Sequence, residues 1–123
     1  MPYSVTVLLV EDDPWIARLL IEVFEMSGYE VRHARSAEAA ADAIAAEPPD
    51  MIALDLNLPG ASGQSLLHGL RSRPETRRLP VVVITAQVPV ERPVSAMAEA
   101  VVEKPFELQD LLHTVERVAA RAA

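Results

Sequence analysis

Three short runs along the chain are apolar at nearly every position rather than at alternate ones: residues 5–10, 51–54 and 81–84. Each is rich in β-branched side chains, a pattern that suits a strand covered on both faces. A weaker strand is expected at 30–34, where Val31 and His33 alternate with Arg32, and a very short one at 100–102. Helical spacing fills the gaps. Ile16, Leu19, Leu20, Val23 and Phe24 form one stripe within 14–27, with Asp13 placed as N-cap, Pro14 in the first turn and Gly28 able to close the end. Ser36 opens an Ala-rich helix that stops at the Pro48–Pro49 pair. A helix over about 62–72 carries Leu66, Leu67 and Leu70, and a last one from about Glu107 carries Leu108, Leu111, Leu112, Val115 and Val118. Between Ala86 and Ala100, Pro89 and Pro93 each remove a backbone donor. At most a turn or two is expected there, over about 93–99. Strands alternating with helices imply an α/β fold, with a parallel sheet and right-handed crossovers that put helices on both faces.

Composition narrows the function. The 123 residues, 50% hydrophobic and 24% charged, are expected to form one domain over 1–123. A net charge of −7 lacks the positive field that phosphate backbones require, so no direct nucleic-acid partner is expected. The absence of cysteine removes disulfides, thiolate metal sites and cysteine nucleophiles together. The N-terminus has no basic stretch before its apolar run, and no run approaches the roughly 20 residues of a membrane span. The expectation is a cytoplasmic protein with no membrane partner.

Polar residues follow the apolar strands at their carboxyl ends, where open α/β sheets gather function. Glu11, Asp12 and Asp13 end the first strand, Asp55 the third and Thr85 the fourth, and Lys104 follows the fifth. Singly, these read as a helix cap, a turn residue or a solvated cation. Together they crowd several carboxylates near one lysine, an arrangement that is repulsive unless a cation offsets it. Hard oxygen ligands with open positions suit Mg²⁺, which takes one or two protein carboxylates and a phosphoryl group.

The segments LLVEDD, DLNLPGASG, VVVITA and EKPF, in that order on a βα frame, resemble the receiver domain of two-component response regulators, and the likeness covers essentially the whole chain. The resemblance implies a doubly wound, flavodoxin-like five-stranded sheet of order 2-1-3-4-5, in which the two prolines are expected to leave the fourth helix short or broken. It implies that Asp55 is the phosphoacceptor, taking its phosphoryl group from a histidine kinase or histidine phosphotransfer protein. Asp12 and Asp55 would ligate Mg²⁺ directly, Glu11 mainly through water, and Asn57 through its backbone carbonyl. Lys104 would pair with Asp55 and then with a phosphoryl oxygen, the Thr85 hydroxyl would bond another, and Pro105 would follow a cis peptide. An unidentified downstream protein would read the result. Asp13 is left as the helix cap.

Two features depart from the family. The place three residues before the lysine, aromatic in many receivers, holds Val101, and the stretch from Thr85 to Lys104 is about one helical turn shorter than usual. Both put the usual output coupling in question while leaving the chemistry intact. Trp15, beside the helical stripe, reads either as partial packing or as a docking contact. The three histidines share no metal-like spacing and read as non-functional, and Arg71, Arg73, Arg77 and Arg78 read as a solvated loop. Beside the switch stand a phosphate sink or relay shuttle without output, and a phosphorylation-independent binding module. An aspartyl-phosphate enzyme is disfavoured, because Asn57 stands where such enzymes carry an acid–base aspartate. No enzymatic turnover is expected.

Overall fold

The computed structural model describes residues 4–60, 62–86 and 92–122. Five strands, β1 (Thr6–Val10), β2 (Glu30–Ala34), β3 (Met51–Asp55), β4 (Val81–Thr85) and β5 (Ala100–Glu103), form one sheet of order β2-β1-β3-β4-β5. Every pairing is parallel. The helices are α1 (Pro14–Met26), α2 (Ala37–Ala46), α3 (Gly63–Ser72), α4 (Arg92–Met97) and α5 (Leu108–Ala122).

Alternation along the strands divides the core in two. Leu8, Val10, Ile52, Leu54, Val81 and Val83 pack against α2, α3 and α4. Val7, Leu9, Met51, Ala53, Val82 and Ile84 pack against α1 and α5. Central strands apolar on both faces follow from helices on both sides. The edge strand β2 is only partly covered, which is why its pattern is mixed.

Local signals set the helix ends. The Asp13 side chain accepts hydrogen bonds from the amides of Trp15 and Ile16, at 2.9 and 3.2 Å. Gly28, at φ 98°, takes the left-handed conformation after the end of α1. The Ser36 side chain caps α2 through the Ala39 amide, and the Ser62 side chain caps α3 through the Ser65 amide. In α4, Pro93 occupies the first turn, where no intrahelical donor is required, so the proline starts the helix rather than breaking it. Pro89 lies outside the described residues. The peptide between Lys104 and Pro105 is cis, as the resemblance implies.

Three expectations need correction. Leu19 does not join the core stripe of α1: Ala17, Leu20 and Phe24 form the buried seam, while Leu19 is 47% exposed. Trp15, one turn earlier, is 78% exposed and so does not pack on a neighbouring helix. Arg71 is not a solvated cation. Its side chain is largely buried, and its guanidinium bonds carbonyls and a carboxylate from several elements.

Candidate functional site

The strand ends bring the charged residues expected from the sequence to one place. Glu11, directly after β1, and Asp55, the last residue of β3, are both buried, at 2% and 3% exposure, whereas Asp12 is exposed. One carboxylate oxygen from each of Glu11, Asp12 and Asp55 lies within 4.8 Å of the others. The Lys104 ammonium stands 3.1 Å from Asp55 Oδ2 and 3.7 Å from Glu11 Oε1.

The two buried carboxylates are each held by a backbone amide. Asp55 Oδ1 accepts from the Asn57 amide at 2.9 Å, a turn that begins the loop into α3. Glu11 Oε2 accepts from the Asp13 amide at 3.1 Å. Thr85 is fully buried at the end of β4, and its carbonyl accepts from the Lys104 amide at 2.7 Å. That bond ties the hydroxyl-bearing strand end to the lysine turn. Asn57 sits exposed at the head of the loop.

The electrostatics show an unbalanced site. Burial, with the adjacent Asp55 carboxylate adding to it, pushes the Glu11 carboxyl up to about 7, against the lowering pull of the Asp13 amide and Lys104. One lysine does not offset three acids. The donor set is all oxygen, with a partly open face at Asp12, and so fits a hard divalent cation such as Mg²⁺.

Two further residues, one of them a histidine read from sequence as non-functional, take part in the site's frame. The His33 ring lies 2.8 Å from the Glu11 carbonyl oxygen through Nε2, bracing the turn after β1. Gly63 lies against the Asp55 peptide group. Residue type alone does not mark either contact, because both depend on how β2 and α3 are seated.

The response regulator receiver domain profile matches residues 7–116. The chain belongs to this family. The receiver is 39% identical over 116 residues to the response regulator protein FleR of Pseudomonas aeruginosa, covering 92% of this chain but 24% of that protein. It is 32% identical over 114 residues to the polar-differentiation response regulator DivK of Brucella ovis, covering 90% of this chain and 93% of that one. The chain thus spans about a quarter of one relative and nearly all of the other. Among solved structures, a sensor protein from Polaromonas sp. JS666 superposes with a TM-score of 0.88 at 32% identity, over 99% of this chain and 100% of that chain. The receiver domain of the sensor histidine kinase PA1611 from Pseudomonas aeruginosa gives 0.87 at 25% identity, over 96% and 99%, and was solved with a magnesium ion in its active site cleft. Among the described residues, no helix of the receiver is long and apolar enough to cross a membrane.

Proposed function

We propose that this receiver, with residues 1–123 acting as one unit in the cytoplasm, takes a phosphoryl group onto Asp55 from the phosphohistidine of a histidine kinase or histidine phosphotransfer protein. The modified site then changes its contacts with a downstream protein. One observation carries the reading: a buried carboxylate at a central strand end, 3.1 Å from a lysine ammonium and clustered with two further acids.

An Asp55 oxygen forms the new O–P bond as the P–N bond to the imidazole breaks, and the electron pair stays on the ring nitrogen, which then takes a proton. A carboxylate nucleophile has no proton to lose as it attacks, so no general base is required. The transition state is loose, with its charge on the equatorial oxygens, so positioning and positive charge do most of the catalysis. Asp12, Asp55 and the Asn57 carbonyl would hold Mg²⁺, with Glu11 acting mainly through water, and the ion supplies part of that positive charge when bound. Lys104 moves from Asp55 to a phosphoryl oxygen. The Thr85 hydroxyl bonds another.

A donor surface beside the site supports the same partner class. Trp15 and the partly exposed Leu19 lie one turn apart on α1, and Leu108 opens α5 at the same edge of the sheet. Exposed aromatic and aliphatic groups of this kind anchor protein interfaces. With Asn57 in place of an acid–base group, the receiver holds a phosphoryl group rather than turning over small phosphoesters.

Incubation with acetyl phosphate and Mg²⁺ should add one phosphate by intact mass, and Asp55→Asn should abolish the addition. Phosphate retained in that variant would overturn the assignment.

A further inference from the structure

We infer that Gly63 is a positioning residue for the phosphoacceptor, because the first residue of α3 is seated directly on the Asp55 peptide group. A Cβ built at Gly63 would lie 2.6 Å from the Asp55 carbonyl oxygen and 2.8 Å from the Leu56 Cα. Real Cβ atoms are not found below 3.0 Å. Both neighbours are backbone, so neither can rotate out of the way. The Gly63 amide also donates to the Leu56 carbonyl at 3.3 Å, closing the loop that starts at the phosphoacceptor.

The other glycines nearby show that this requirement is one of space. Gly60 has φ 74°, so its constraint is conformational. Gly69, six residues along α3, would place a Cβ in open space. Only at Gly63 does the missing side chain let a helix touch the peptide that carries the nucleophile. Any side chain there pushes the Asp55–Leu56 backbone by several tenths of an ångström. That displacement disturbs the alignment of the Asp55 carboxylate with Lys104 and passes along the chain to the Asn57 amide that Asp55 accepts from. The core of α3, built on Leu66, Leu67 and Leu70, lies further along the helix. The inference rests on the reading of Asp55 as phosphoacceptor and adds that α3 sets its position.

The test compares Gly63→Ala with Gly69→Ala and with Leu67→Ala, which weakens α3 from within the core. Two quantities are read per folded molecule: the acetyl phosphate rate at saturating Mg²⁺, and the Mg²⁺ dissociation constant. Gly63→Ala should slow phosphorylation about ten-fold or more and weaken Mg²⁺ binding, since sub-ångström misplacement of reacting groups carries costs of that order. Gly69→Ala should match the wild type, and Leu67→Ala should lose melting temperature while keeping the wild-type rate. A Gly63→Ala protein that melts lower but keeps both wild-type values would overturn the inference. Should that variant not fold, Mg²⁺ titration of the wild-type receiver by NMR decides. The Gly63 amide resonance should shift with those of Asp55 and Asn57 while Gly69 stays still, and a silent Gly63 amide would overturn the inference. If the wild type takes no phosphate on Asp55, the functional reading fails, while the Mg²⁺ arms still judge the contact.

Discussion

At the scale of single residues, Glu11 carries the clearest consequence. Its carboxyl titrates near 7 in the folded protein, above the ordinary 4.5, chiefly because burial disfavours the charged form. Between those two values the folded chain holds a proton that the unfolded chain has released. The metal-free protein therefore loses stability from this group as pH rises from about 4.5 through about 7, the reverse of a salt-bridged carboxylate. Glu11→Gln keeps an oxygen for the Asp13 amide and removes the charge. In EDTA, wild type and variant should melt alike at about pH 4, below both values, and the variant should be more stable at about pH 8, by about 1–3 kcal/mol. A thermal melt series across that range checks the sign. Mg²⁺ should reverse the order at pH 8, because the ion compensates the charge that the glutamine lacks.

At the scale of elements, Arg71 does what its place in a basic run concealed. From the last turn of α3, its Nε donates to the Met97 carbonyl at 2.8 Å, and its Nη1 donates to the carbonyls of Leu79 at 2.8 Å and Arg77 at 3.1 Å. Its Nη2 reaches Glu99 Oε1 at 3.0 Å, and the same oxygen accepts from the Val81 amide at 2.7 Å. One planar cation therefore binds the end of α3, the loop into β4, the end of α4 and the approach to β5. Arg71→Ala strips donors from several partly buried acceptors and should cost about 2–4 kcal/mol in urea unfolding. Arg71→Lys should recover little, since one ammonium cannot span the same carbonyls. Strand runs, helix caps and the Pro93 helix start were legible because they follow from nearest neighbours in sequence. So were Glu11, Asp12, Asp55, Thr85 and Lys104, which mark strand ends. Arg71, His33 and Gly63 were not. His33 meets Glu11 across 22 residues, Arg71 reaches Met97 and Glu99 across 26 and 28 besides its nearer carbonyls, and for Gly63 the signal is a side chain that is absent.

At the scale of the whole molecule, the acidic site around Asp55 and the Arg71 junction occupy opposite edges of the sheet, the first at the strand ends and the second at the starts of β4 and β5. The fourth helix lies between them, held at its far end through Met97 and Glu99 and by the buried Val94. Thr85 and Ala86 precede α4 in the chain, on the side away from this held end. Val101 on β5 is partly buried against the α2–α3–α4 cluster, and its β-branched side chain has little freedom to swing. With Met97 and Glu99 held by Arg71, the expected response is a movement of α4 about that end rather than a side-chain flip in β5. Hydrogen exchange of the receiver with and without beryllofluoride and Mg²⁺ should show changed protection over 86–97 and little change over 98–102. In Arg71→Ala the fixed end is released, and the change should spread into β5. A response centred on β5 in the wild type, or an unresponsive 86–97 stretch in a protein shown to bind beryllofluoride at Asp55, would rule the pivot out.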